Sequence, residues 1–358
     1  MRIAHLDTEI SWRGGEQQIL YLAEVLREAG DENLIIARSG SALEHRMKEG
    51  GFKCFSVSPW MEWDFLCALS IKRCLLEERV DLLHAHTAHA AALGALATLR
   101  ANIPLIVSRR VDFHLSKNFF SRWKYSRADK ILAVSSAIKE ILIEDGISPE
   151  KIEVVYSGVN LKRFEGEKKS RQDLGLPDSK ILIGQIAALS DQKDPLSFVR
   201  AMALLAQKGV DFRALMVGEG PLKTKVESEI ARLNLKERIF LLGFREDAFQ
   251  ILRHLDVFVL SSRLEGLGTS ILDAFAAGVP VVASRTGGIP EMIEEGISGL
   301  LVPVGDPASL SRAIERILLD LALRQKLIEG GRKKVQFFSA QKMAESTRDV
   351  YQKILSQA

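Results

Sequence analysis

The sequence predicts an α/β protein made of two doubly wound, Rossmann-like domains that face each other across a cleft. Short apolar runs alternate with amphipathic segments from one end of the chain to the other, a charged stretch at residues 161–171 interrupts the alternation, and a second series follows it. Alternation of this kind signals parallel sheets with crossover helices, because parallel strands need a helix to carry the chain back. A chain of 358 residues, 47% hydrophobic and 27% charged, is long enough for two separate cores.

The elements follow in order. In the first half the strands are expected at residues 2–6, 33–37, 53–57, 82–85, 105–108, 130–135 and 151–157. Helical patterns separate them, as at 16–28, where Ile19, Leu22, Ala23, Leu26 and Ala29 share a face and Gly30 ends the run. Residues 161–171 read as a linker, so the domains are expected at 1–165 and 166–339. Strands in the second half are expected at 181–187, 213–217, 238–242, 257–260, 281–284 and 299–302. A last helix at 340–358, after Phe337 and Phe338, is expected to return to the first domain.

Composition narrows the function classes. A net charge of +3 is too weak to argue for nucleic acid, yet it suits a phosphorylated substrate or contact with an anionic membrane surface. Cys54, Cys67 and Cys74 lack metal-binding spacing and are too few for a disulfide framework, which points to a reducing compartment. The opening Met1-Arg2-Ile3-Ala4-His5-Leu6-Asp7 reads as a strand, not a signal region, and no window has the length of a membrane span. The expected location is the cytoplasm, with room for peripheral contact at the inner face of the cell membrane.

One motif is more specific than the rest. The apolar run 256–260 ends in Ser262-Arg263-Leu264-Glu265-Gly266-Leu267-Gly268-Thr269-Ser270, a glycine-rich turn that leads into a helix. Free amides at Gly268 and Thr269 and the helix dipole favour a phosphate there. Glu265 in the turn and Asp273 inside the helix can accept hydrogen bonds from hydroxyls, so a phosphate bearing sugars is the expected guest. An ordinary strand-turn-helix with solvated acids is the alternative. Gly14 and Gly15, behind the first strand and before a helix, either approach a ligand or only turn the chain. His84 and His86 share one strand face and, with His89, imitate a metal cluster, but no carboxylate or cysteine of suitable spacing joins them; no metal site is expected. Residues 117–127 interleave basic and aromatic side chains, which suits either anionic headgroups or an amphipathic helix packed at the domain edge. Trp60, Met61 and Trp63 either stack on a sugar or cap the core.

The segment Glu265-Gly266-Leu267-Gly268-Thr269-Ser270-Ile271-Leu272-Asp273, with Val217-Gly218-Glu219-Gly220-Pro221 and Thr286-Gly287-Gly288-Ile289-Pro290-Glu291, resembles the donor domain of family 4 retaining glycosyltransferases of the GT-B fold. Gly14-Gly15-Glu16, His84-Ala85-His86 and residues 155–160 resemble that family's N-terminal glycine loop, histidine-bearing strand end and interdomain crossover, so the likeness spans nearly the whole chain. The resemblance implies transfer of a sugar from a nucleotide-diphosphate donor, UDP by default, to a hydroxyl of a glycan or lipid-linked acceptor in envelope polysaccharide, lipopolysaccharide or glycolipid synthesis. It implies that Glu265 binds donor-sugar hydroxyls, that Asp273 binds the ribose, and that His86 lies near the sugar. It further implies that Gly14 and Gly15 meet the diphosphate or the acceptor side through backbone N–H groups, and that Lys193 neutralises the leaving diphosphate without a metal or other cofactor. Arg245 sits where the family reads the base through its backbone.

Two departures stand out. Asp273 replaces the family's second glutamate, and Ala188 stands where the family commonly has arginine, which leaves Arg13 and Arg245 as candidates for the second positive charge. They keep open a catalytically weakened nucleotide-sugar-binding partner subunit; a nucleotide-sugar epimerase or hydrolase of the same fold is a second alternative, told apart by turnover without any acceptor.

Overall fold

The computed structural model describes residues 1–116 and 119–357 and divides into two compact units. The first comprises Met1–Gly158 with Ala340–Ala358, and the second Val159–Ser339.

The first unit holds seven parallel strands: β1 (Arg2–Asp7), β2 (Glu32–Arg38), β3 (Lys53–Val57), β4 (Leu82–Ala85), β5 (Leu105–Arg109), β6 (Lys130–Ala133) and β7 (Ile152–Val154). Their order in the sheet is β3-β2-β1-β4-β5-β6-β7, so the winding reverses between β1 and β4. His5 pairs with Ile35 on one side and His84 on the other. The Gly14–Glu28 helix buries Ile19, Leu22, Ala23 and Leu26, the face its periodicity marks out. On the same side the Ala340–Leu355 helix places Met343, Ala344, Val350, Tyr351 and Ile354 in a core with Ile3, Leu82, Ile106 and Leu132. Arg348 Nε donates to the buried Asp31 at 2.8 Å, which ties this helix to the turn before β2.

The second unit carries β8 (Leu182–Ile186), β9 (Arg213–Val217), β10 (Ile239–Gly243), β11 (Val257–Leu260), β12 (Val281–Ser284) and β13 (Leu300–Val302), ordered β10-β9-β8-β11-β12-β13. Here the reversal falls between β8 and β11. β11 and β12 are buried along their whole length, as parallel strands covered on both faces must be.

The two compact units divide at 158/159, and the charged stretch at 161–171 belongs to the second. Residues Leu161–Phe164 form a 3₁₀ turn whose Phe164 meets Phe249 edge-on at 6.3 Å, with the Arg163 guanidinium 4.1 Å from the same ring. Further along, the Lys169 backbone N–H donates to Gln250 and its carbonyl oxygen faces His254. One aromatic side chain and the side chains of Gln250 and His254 thus fasten a stretch whose charged residues stay mostly exposed.

Candidate functional site

In the second unit the loops after β8 and β11 lie at the point where the sheet reverses, the place where open α/β sheets offer a crevice for ligands. They are stitched together by backbone. The N–H groups of Arg263 and Leu264 both donate to the Gln192 carbonyl, at 2.7 and 3.3 Å. Ser261 Oγ donates to the Asp194 carbonyl at 2.8 Å and accepts from Gln185 Nε2 at 2.8 Å. Asp194 takes the left-handed conformation (φ 42°), caps the Pro195–Gln207 helix by accepting from the Ser197 N–H, and pairs with Arg263 Nε at 2.9 Å. A strained non-glycine residue held this firmly fixes its neighbour. That neighbour is Lys193, whose Nζ donates to Glu265 Oε1 at 2.5 Å. Two residues 72 positions apart in sequence therefore form one ion pair, with Ser262 Oγ donating to the same carboxylate oxygen at 3.3 Å.

Close backbone packing explains the two glycine motifs. A Cβ on Gly287 (φ 49°) would fall on the Glu265 carbonyl oxygen, and one on Gly218 (φ 136°) on the Ala187 carbonyl oxygen. The Gly288 N–H also donates to the Glu265 carbonyl, at 3.3 Å. These glycines hold the loops of Lys193 and Glu265 through main chain alone.

Next to this pair, Gly268 (φ 91°) caps the Thr269–Ala277 helix, and Thr269 opens it. Asp273 lies inside the helix, half-buried, and burial raises its carboxyl to about 6 while the Arg163 charge draws it back. Arg245 is committed elsewhere: its Nε and Nη2 donate to Asp247 at 2.7 and 2.8 Å, and Nη2 to the Leu174 carbonyl at 3.2 Å. Its guanidinium is thus paired within its own loop, as the Lys193 ammonium is paired with Glu265.

In the first unit, Gly14 and Gly15 are the opening residues of their helix behind Arg13, and Glu16 Oε2 accepts from the Arg13 N–H at 2.6 Å. A Cβ on Gly15 would meet Arg110 Cδ at 3.9 Å. His86 is buried just beyond β4, its ring centre 3.9 Å from that of His84 and its Nε2 3.0 Å from His5 Nδ1. The directions of these bonds follow from Asn33. Its Nδ2 donates to the Asp31 carbonyl at 3.1 Å, so its Oδ1 accepts from His5 Nε2 at 2.9 Å. His5 Nδ1 then accepts from His86 Nε2, and His86 Nδ1 accepts from Arg110 Nη2 at 3.4 Å. His84 is held by Tyr351 Oη at 2.6 Å and Ser108 Oγ at 2.8 Å.

His5, His84 and His86 lie close enough together to hold a metal ion. Their nitrogens are instead spent on one another and on Asn33, Tyr351, Ser108 and Arg110, and a guanidinium beside them opposes a cation. Burial keeps all three rings neutral, with His5 lowered to about 4. His86 is therefore part of a packed relay that ends on Arg110.

Asp7, His5 and Arg110 were not singled out by the sequence, because their importance comes from strand order. Asp7 ends β1, His86 follows β4 and Arg110 follows β5, three neighbouring strands. Elsewhere in this unit, Trp63 stacks obliquely on Phe120 at 5.2 Å and on Trp123 at 5.7 Å, and Lys124 pairs with Glu62. Trp60, Phe65, Leu66, Phe119 and Phe120 are exposed around these contacts. Lys117 and Asn118, the first two residues of the expected basic-aromatic segment, lie outside the described residues. Among the described residues no helix is long and apolar enough to cross a membrane.

Comparison with known proteins agrees with these two halves. Residues 12–163 match the family described as Glycosyltransferase Family 4, and residues 166–334 match Glycosyl transferases group 1. The Salmonella typhimurium protein named "Putative colanic acid biosynthesis glycosyltransferase WcaL" is 31% identical over 281 residues, covering 74% of this chain and 68% of its own. The Escherichia coli UDP-Gal:alpha-D-GlcNAc-diphosphoundecaprenol alpha-1,3-galactosyltransferase is 27% identical over 98% of this chain and 96% of its own. The crystal structure of Anabaena HepE in complex with UDP-glucose superposes with a TM-score of 0.86 at 23% identity, covering 100% of both chains. The fold is GT-B, and the chain belongs to glycosyltransferase family 4.

Proposed function

We propose that this glycosyltransferase is a retaining hexosyltransferase that moves a sugar from UDP to a hydroxyl of a glycan or lipid-linked acceptor in cell-envelope polysaccharide assembly. The observation that carries this reading is the Lys193–Glu265 ion pair beside the amino end of the Thr269–Ala277 helix. A fixed ammonium and free helix amides suit the charge that develops on a departing diphosphate, and a fixed carboxylate suits sugar hydroxyls. The donor's C1–O bond breaks, the acceptor oxygen bonds to C1 from the same face, and the acceptor proton passes to a phosphate oxygen. Lys193 supplies the charge that a divalent cation would otherwise bring, so turnover persists in a chelator. Asp273 is assigned to the ribose, and the backbone of Gly14 and Gly15 to a phosphate. The named functions of the E. coli and Salmonella relatives support the envelope setting. The exposed aromatic surface around Trp63 supports contact with lipid.

The test is a melting-temperature panel of UDP-, GDP- and ADP-sugars with EDTA present, followed by NMR of the product's anomeric proton. Stabilisation by UDP-sugars, lost in Lys193→Ala, together with retained anomeric configuration, is the expected result. An inverted product or an absolute metal requirement contradicts the reading. Flotation with anionic vesicles, lost in Phe119→Ser/Phe120→Ser, checks the lipid contact.

A further inference from the structure

We propose that Asp7 and Arg110 together bind a hydroxyl of the sugar acceptor at the reversal point of the first sheet. The inference rests on the transferase reading above and adds to it the residues that receive the second substrate.

Four buried side-chain atoms lacking a hydrogen-bond partner among the described residues lie at or just beyond the carboxyl ends of β1, β4 and β5: Asp7 Oδ2 ending β1, His89 Nε2 on the helix after β4, and Arg109 Nε and Arg110 Nε at the end of β5. A buried carboxylate oxygen without a donor is costly, and in a native fold it asks for a function. Asp7 is 1% exposed and uses only Oδ1, which accepts from the Glu9 N–H at 2.9 Å. Across the reversal, Thr8 Oγ1 and Thr87 Oγ1 meet at 3.3 Å and join the loops that follow β1 and β4. Arg110 is aimed rather than loose. Its Nη1 donates to Ser157 Oγ and its Nη2 to His86 Nδ1, each at 3.4 Å, and its stem lies against Gly15. The relay from His86 through His5 to Asn33 holds that pose from behind.

The chemistry of the two unpartnered groups selects the guest. Oδ2 needs a donor and Nε needs an acceptor, and a hydroxyl is both. Phosphate offers acceptors alone and would face the carboxylates of Asp7, Glu16 and Glu9. An ammonium would face Arg109 and Arg110. Burial first, then the Glu16 and Glu9 charges, push the Asp7 carboxyl up to about 7, with Arg110 drawing it down. Hydroxyl binding therefore strengthens as pH rises through that value, since the ionised carboxylate is the better acceptor.

Saturation-transfer NMR with a set of methyl α-glycosides tests this without turnover, with UDP titration alongside. Wild type is expected to show transfer to at least one glycoside. In Asp7→Asn and Arg110→Gln the affinity falls about tenfold, UDP affinity stays the same, and the pH dependence near 7 disappears in Asp7→Asn. Absence of glycoside transfer in wild type, or its persistence in both variants, overturns the proposal. Loss of UDP affinity in the variants also overturns it, by assigning the pair to the donor. Failure of wild type to bind UDP at all is a different result and strikes the transferase reading instead.

Discussion

Asp7 gives a quantitative prediction about stability that is independent of any ligand. Its carboxyl titrates at 3.8 in an unstructured peptide and at about 7 in the fold, raised chiefly by burial. For an acid raised in this way the native state binds more protons than the unfolded one between those two values, so the contribution to stability falls as pH rises through the window. Integrating over it, ionisation of Asp7 costs ~1.7 kcal/mol of stability at pH 5 and ~4 kcal/mol at pH 8. Asparagine does not titrate. Asp7→Asn should therefore gain stability relative to wild type between pH 5 and pH 8 by ~2.5 kcal/mol, equivalent to about 5–10 °C in melting temperature for a unit of this size. Using the change in the difference removes whatever the amide does by itself, and it also removes the histidines, whose titration is common to both proteins. Differential scanning calorimetry at the two pH values is the assay. A wild-type-to-variant difference that stays constant from pH 5 to pH 8 would show that the carboxyl titrates normally and refute the reasoning.

Three further outcomes follow from the same geometry. Gly287→Ala drives a Cβ into the Glu265 carbonyl and should abolish transfer while costing ~2–4 kcal/mol, whereas Gly296→Ala, also at positive φ but with nothing within 4 Å, should cost only ~1 kcal/mol; paired melting and activity measurements decide. Lys193→Ala should remove most UDP-induced stabilisation, and Glu265→Ala should keep UDP binding but lose the preference for UDP-sugar over UDP, as calorimetric titration would show. His5, lowered to about 4, lends stability that is present above 6.5 and lost as pH falls, about 2 kcal/mol by pH 5; a His5→Asn variant should lack that loss in denaturant titrations.

Much of this was legible in the sequence because parallel strands buried on both faces must be continuous apolar runs. Val257–Leu260 and Val281–Ser284 are the clearest cases. Glu265, Lys193 and the glycine turns stood out through their motifs, but the contact between Lys193 and Glu265 depends on β8 and β11 being neighbours, which no local pattern encodes. The same holds for Asp7, His86 and Arg110, brought together only by the order β1-β4-β5. His5 is one polar residue in an apolar strand, and its bond to His86 depends on β1 and β4 being neighbours. At 161–171 the charged residues are mostly exposed, as composition suggests, and what it does not show is Phe164 meeting Phe249 edge-on.

The Ala340–Leu355 helix bears on how the protein is made. Tyr351 completes the packing around His84, yet it leaves the ribosome after residues 159–339 have been synthesised. At about 5–20 residues per second that delay is about 10–40 s. During it the nascent first unit exposes the apolar strip of Ile3, Leu22 and Leu82 that this helix covers. A stop codon just before 340 would yield a chain with every residue of the second unit and an unfinished half that is the one that begins it.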